Sequence, residues 1–449
     1  MEDDLRLLKD RQRKYFLRCL RTPLPQYYTS NDTSRMSLAY FIIAGLDLLD
    51  LLEEGHTPSL LDSDSSQKLS ADETRGYINW IYHCQVASPS SSSSTTAPSP
   101  TEGHSSPAYA EGGFRAFTGA HFGEQNRSLE NQCWDPASVP ATFFALVILL
   151  ALGDDLSRVK RKECLAWLCQ MQRSDGSFGQ VLGPDGQSDG TRDLRFCFCA
   201  AGIRYILRGK EGKNLPDVAD INVSGLISYV ESCQVWEGGF AESPLNESHA
   251  GLTYCAIGTL SFLGCLQPST EISPSIIRPG TTNYDTLIRW LVSRQTDYIE
   301  DESDDSEGED QAQPQEHSHM SYENALSALP ILEGIPAGYC AGFNGRTNKM
   351  ADTCYCFWVS GTLAMLGQRG LVDAQANRRY LLGQTQHSIG GFGKLPGELP
   401  DLLHSYLGLA ALALFDEEGI AELDPVLCAS QRVRTRLEAL PWWKNAEPA

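Results

Sequence analysis

The chain has 449 residues, 41% of them hydrophobic, and a formal charge of −21. That length and composition support a sizeable core in one large domain or two ordinary ones, and the acidic balance excludes nucleic acid as a natural partner while favouring basic ones. The start, Met1-Glu2-Asp3-Asp4, has no apolar segment behind it, so no export signal is expected. With no such signal, the 14 cysteines are expected as free thiols in a reducing, cytoplasmic setting.

In chain order, the first helical stretch of interest is Met36-Ser37-Leu38-Ala39-Tyr40-Phe41. A second stretch ends at Ile81-Tyr82-His83-Cys84-Gln85. Residues 87–110 are rich in Ser, Pro and Thr and are predicted to be a disordered insertion. Gly112-Gly113-Phe114 follows, and then the most apolar run, Val139 to Leu152. That run is shorter than the ~20 residues a membrane span needs, so it is predicted as a buried helix. A pattern then repeats in Gln172 to Phe178, Gln234 to Phe240 and Gln386 to Phe392: a glutamine ends an apolar helix, and a Gly-x-Phe or Gly-Gly-Phe follows, with Phe six residues after Gln. Two further copies are split. Gln85 is separated from Gly112-Gly113-Phe114 by the Ser/Pro-rich insertion. Gln295 is separated from Gly342-Phe343 by an insertion at 297–337, whose first part, to residue 319, is acidic and carries no Lys or Arg. The repeating unit reads as helix, Gly-rich turn, helix. Such units either stack into an open solenoid or close into a ring. The expectation is an all-α fold, a single α-α barrel (toroid) domain over 1–449, with the Gly-rich turns gathered on one rim.

The chemistry concentrates in Gly345-Arg346-Thr347-Asn348-Lys349-Met350-Ala351-Asp352-Thr353-Cys354-Tyr355-Cys356-Phe357-Trp358. Fifty residues after Cys354 stands His404, in Pro400-Asp401-Leu402-Leu403-His404-Ser405-Tyr406. Asp352, Cys354 and His404 offer one oxygen, one sulfur and one nitrogen. Three mixed ligands with an open fourth position describe a catalytic Zn²⁺ site. Arg346 and Lys349 beside it suit a polyanion such as a diphosphate leaving group. Cys356 reads as a buried thiol.

These residues resemble the β subunits of protein prenyltransferases along nearly the whole chain apart from the insertions. The resemblance implies zinc ligation by Asp352, Cys354 and His404. It implies diphosphate contacts from His249 (in Glu247-Ser248-His249-Ala250-Gly251), Arg346, Lys349 and Tyr355, an isoprenoid pocket lined by Arg195, Phe198 and Trp358, and further contacts with the isoprenoid diphosphate from Ala250, Gly251, Thr347, Asn348, Cys356, Phe357 and Ser37. Of the three branches, farnesyl, geranylgeranyl type I and Rab geranylgeranyl, the chain is most similar to type I. Lys394 stands where that branch has lysine and the other two are acidic, which implies that Mg²⁺ is not required. Ser37 is small where the farnesyl branch has tryptophan, and Leu403 replaces a tyrosine. Ser138 and Pro140 depart from the animal pattern near the pocket for the last peptide residue.

The resemblance implies transfer of geranylgeranyl from geranylgeranyl diphosphate to a Cys-aliphatic-aliphatic-Leu/Phe tail, carried by small GTPases of the Rho/Rac type, by an obligate heterodimer with an α subunit. Farnesyl transfer, a terpene-cyclase-like ring and a non-catalytic helical scaffold are the alternatives.

Overall fold

The computed structural model describes residues 5–52, 68–86, 112–118, 131, 134–209, 215–266, 274–298 and 339–444. Insertion 87–110, and insertion 297–337 beyond residue 298, lie outside the described residues. The helices are α1 (Lys9–Arg21), α2 (Arg35–Leu48), α3 (Ala71–His83), α4 (Val139–Ala151), α5 (Arg161–Gln170), α6 (Leu194–Arg208), α7 (Val223–Ser232), α8 (Ala250–Phe262), α9 (Thr282–Val292), α10 (Thr353–Met365), α11 (Ala374–Tyr380), α12 (Leu402–Ala413), α13 (Gln431–Ala439) and α14 (Pro441–Lys444). Three antiparallel pairs of two-residue strands accompany them: β1 (Val181–Leu182) with β2 (Ser188–Asp189), β3 (Gln295–Thr296) with β4 (Gly342–Phe343), and β5 (Leu423–Asp424) with β6 (Ala429–Ser430).

The even-numbered helices from α2 to α12 form a closed inner ring. Each packs on its two even-numbered neighbours, and α12 returns to α2. The odd-numbered helices from α1 to α11 alternate with them along the chain. The apolar run at 139–152 is inner helix α4, buried along nearly all its length. An outer helix separates consecutive inner ones, so the inner six run in one direction and present their N-termini at one rim.

All five Gln…Phe copies pair Gln with Phe as antiparallel partners, including the two split ones, Gln85 with Phe114 and Gln295 with Phe343. The five phenylalanines are fully or almost fully buried beneath the inner helices. The glutamine amide has a second task, because it can both donate and accept. Gln172 accepts from Asn222 N at 2.7 Å and donates to Asn222 O at 2.9 Å, satisfying the start of the next outer helix. Gln295 does the same at Asp373, at 3.0 and 2.9 Å. The last copy, Gln386, reaches Leu8 N and Arg6 O ahead of α1, at 2.8 and 3.0 Å. The N-terminal helix therefore completes the outer ring. At Gly176 the turn demands glycine twice over: φ is +90°, and a Cβ would collide with the Gly225 carbonyl of α7.

The opposite end of the ring is filled by the β5–β6 hairpin. Tyr40 of α2 and Tyr406 of α12 both donate to Cys428 O, and Tyr254 of α8 donates to Pro425 O at 2.6 Å. Hydroxyls from three inner helices thus converge on one loop. The C-terminal helices lock it by satisfying carbonyls at inner-helix C-termini: Arg436 donates to Ala151 O at 2.6 Å and Trp442 to Ile206 O at 3.0 Å.

Candidate active site and metal centre

The inner-helix N-caps carry the chemistry. Asp193, His249, Asp352 and Asp401 are the N-caps of α6, α8, α10 and α12, and each accepts a hydrogen bond from a backbone N–H in its helix's first turn. A cap needs a short polar side chain, and a ring of parallel helices sets these side chains side by side on one rim, where the helix dipoles also favour anions.

Asp352, Cys354 and His404 meet there, their ligand atoms within 4.8 Å of one another. His404 Nε2 lies 3.3 Å from Asp352 Oδ1. His404 Nδ1 lies 2.5 Å from Asp401 Oδ2, which directs Nε2 toward the other two donors. Burial and the Asp352 carboxylate push the Cys354 thiol well above its ordinary pKa, so a thiolate here calls for a cation. Burial also works against a charged His404, but hydrogen bonds to Asp352 and Asp401 outweigh it and raise its pKa to about 9. An oxygen, a thiol sulfur and an imidazole nitrogen, the last oriented by a carboxylate on its other ring nitrogen, could together hold a metal ion, and their chemistry suits zinc. Cys356, fully buried, turns its sulfur back to Asp352 O at 3.7 Å.

The anion-binding candidates flank this trio. His249 Nδ1 accepts from Gly251 N at 3.1 Å, so its proton sits on Nε2, 3.0 Å from Tyr355 OH. Burial, followed by the charges of Arg346 and Arg195, lowers the His249 pKa, so the ring is a neutral donor. Tyr355 can then pass its own O–H to a substrate oxygen. Ala250 N donates to Gly345 O at 2.9 Å, tying the 345–349 loop to α8, and a Cβ at position 345 would collide with the Tyr355 ring. Within that loop Asn348 adopts φ 59°, and Thr347 and Lys349 are exposed. Arg346 pairs with Glu247 at 3.1 Å. Exposed Lys394 is fixed over the first turn of α10, because Thr353 N donates to its carbonyl at 3.0 Å. At α6, Arg195 pairs with Asp193 at 2.5 Å.

Below the rim, every inner helix contributes at least one aromatic ring to a belt. Tyr40 stacks on Phe144 at 4.7 Å and meets Tyr406 at 5.4 Å. Phe143 meets Phe144 at 5.7 Å and Phe198 at 5.3 Å. Tyr254 meets Phe198 at 5.5 Å and Trp358 at 4.7 Å. Trp358 and Phe144 are half-buried, whereas Phe357 has no exposed surface and backs the wall. Ser37 stands apart from the charged cluster. It is the third residue of α2, the inner helix beside α12, half-buried and one turn before Phe41.

Sequence reasoning missed Asp401, Glu247, Phe41 and Phe144. Asp401 carried a signal, an acid three residues before a histidine where a helix begins. The aromatics carried none, since a pocket wall and a core share one helical period.

Residues 7–429 match the prenyltransferase alpha-alpha toroid domain. The chain is 31% identical to the geranylgeranyl transferase type-1 subunit beta of Arabidopsis thaliana, over 93% of this chain and 88% of that protein. It is 32% identical to the protein of the same name from Dictyostelium discoideum, over 93% and 94%. Among solved structures it resembles Candida albicans protein geranylgeranyltransferase-I complexed with GGPP, with a TM-score of 0.68, 26% identity and coverage of 97% and 99%. The chain therefore belongs to the prenyltransferase alpha-alpha toroid family, in its geranylgeranyltransferase type I β-subunit branch.

Proposed function

We propose that this chain is the catalytic subunit of a prenyltransferase. It moves a geranylgeranyl group from geranylgeranyl diphosphate to the cysteine thiol of a C-terminal Cys-aliphatic-aliphatic-Leu/Phe tail, in complex with an α subunit. The observation that carries the reading is the juxtaposition of the Asp352–Cys354–His404 donor set with a neutral His249–Tyr355 pair and the Arg346–Lys349 loop on one rim, above an aromatic-lined ring. Zinc bound by the trio would supply Lewis acidity that makes the acceptor cysteine a thiolate at neutral pH; a free thiol, with a pKa of about 8.5, is otherwise mostly protonated.

The protein's own groups do the rest. Asp401 holds His404 in the ligating tautomer. Tyr355, Arg346, Lys349 and Lys394 stand where the diphosphate gains charge as its bond to the first lipid carbon breaks, and each such donor is worth roughly 3 kcal/mol in the transition state. The lysine at 394 supplies that charge without Mg²⁺. The lipid chain lies against Phe198, Trp358 and the other belt aromatics, away from water.

Cobalt substitution tests the reading. The cobalt-loaded protein is expected to show a tetrahedral spectrum with a sulfur charge-transfer band that grows when a Cys-Val-Leu-Leu peptide binds. A six-coordinate spectrum, or a band indifferent to the peptide, would contradict it.

A further inference from the structure

Behind the 345–349 loop lies a buried cation that none of the roles above uses. Arg294 is 5% exposed, yet it has no ion pair among the described residues. Its guanidinium rests over Trp290 at 4.9 Å and makes hydrogen bonds to two neutral hydroxyls, Thr347 Oγ1 and Ser293 Oγ, both at 3.2 Å. Its Nε, buried, has no partner. Glu237 acts on it only from beyond ion-pair range, and burial lowers its pKa. An interior guanidinium with neutral partners is costly unless an anion completes its surroundings.

The backbone places this charge directly under the loop. Asn344 N donates to Arg294 O at 2.9 Å, continuing the β3–β4 pairing. From that base two buried side chains reach the loop. Arg294 holds the Thr347 hydroxyl, and Asn344 Nδ2 donates to Lys349 O at 2.9 Å. They brace the loop on either side of Asn348, whose left-handed backbone needs such support.

We propose that Arg294 is a positioning residue of the anion site: it holds the Gly345–Lys349 loop from beneath through Thr347 and adds a buried positive charge that a bound diphosphate completes. This rests on the diphosphate reading of the loop.

The test is calorimetric titration of inorganic pyrophosphate into the chain purified with its α subunit, with thermal midpoints measured in parallel. Arg294→Gln should weaken pyrophosphate binding about tenfold, and Arg294→Lys should restore most of it, because the loss is one of charge. Thr347→Val alters an exposed loop residue and carries the test if Arg294→Gln does not fold. It should weaken binding severalfold, and its effect should shrink in the Arg294→Gln background, as for two partners in one contact. Arg346→Ala is the control for the loop. If it loses pyrophosphate while Arg294→Gln and Thr347→Val bind as the unaltered protein does, the Arg294 role is overturned and the loop reading stands. A lower midpoint with normal binding in Arg294→Gln would also overturn it. If the unaltered protein binds no pyrophosphate, the loop reading itself falls.

Discussion

Asp401→Asn separates two jobs that one carboxylate does. Asp401 Oδ1 accepts from His404 N at 2.9 Å as the cap of α12, while Oδ2 accepts from His404 Nδ1 at 2.5 Å. Asparagine has one acceptor and one donor in the same outline, so it can keep only one of the two contacts. If its oxygen stays on the cap, its NH₂ faces Nδ1. The imidazole proton then moves to Nε2, and the nitrogen aimed at Asp352 and Cys354 can no longer ligate. If the amide turns over, the tautomer survives and the cap is lost, at about 1 kcal/mol. Loss of such an orienting partner weakens metal affinity about 10- to 100-fold, equivalent to about 1.4–2.8 kcal/mol. The assay is zinc competition against a chromophoric chelator, with a thermal midpoint measured alongside. We expect zinc affinity to fall at least tenfold with little change in the midpoint. Zinc affinity within twofold of the unaltered protein would refute the orienting role.

Ser37→Trp should turn lipid preference toward farnesyl diphosphate. One further isoprene at ~0.8 kcal/mol per buried carbon amounts to about 3–4 kcal/mol, which is lost if the indole fills its space; an unchanged preference in a competition assay would place the length limit elsewhere. His249 has a folded pKa below its unfolded value, since burial and Arg346 disfavour the imidazolium. The unfolded chain therefore binds the proton more readily, and stability is present above about pH 6.5 and lost as pH falls below it. His249→Asn keeps a capping side chain without titrating there, so its thermal midpoint should fall less between pH 7 and 5; equal falls would contradict the shift. Gln386→Ala removes the hydrogen bonds to Leu8 and Arg6 and a longer one from Gln12 Nε2 at the seam of the outer ring and should cost about 1–2 kcal/mol. Amide exchange should quicken in α1, and unchanged exchange there would show that the seam is held by other contacts.

The repeat was readable because each copy has one local task and one stacking task, and both demand the same residue types. Gln must donate and accept, Gly must turn beside a neighbouring helix backbone, and Phe must plug the inner face. That logic also exposed the split copies, since Gln295 and Phe343 pair as closely as Gln172 and Phe178 do. Ring closure was expected, but its seam was not. Leu8 and Arg6 offer only backbone groups to Gln386, and backbone leaves no mark on a sequence. The plug was hidden for the same reason: Tyr40, Tyr254 and Tyr406 bond to carbonyls of residues 425 and 428. At the site, the candidate metal donors were legible because Asp352 and Cys354, common enough as a pair, stand with His404 and the Arg346/Lys349 pair at the spacing of a known family. Arg294 was not, because an arginine at the end of an outer helix looks solvent-facing until the fold buries it. No helix among the described residues is long and apolar enough to cross a membrane, in keeping with α4 as a wall of the inner ring.

The most direct test of the account is a competition between labelled farnesyl and geranylgeranyl diphosphates. The chain is co-expressed with a prenyltransferase α subunit, offered a peptide ending Cys-Val-Leu-Leu, and assayed with and without a zinc chelator. The account predicts transfer that favours geranylgeranyl, stops with the chelator and returns with added zinc. Transfer that favours farnesyl would contradict the pocket assignment at Ser37, and transfer that survives complete removal of zinc would contradict the role given to Asp352, Cys354 and His404.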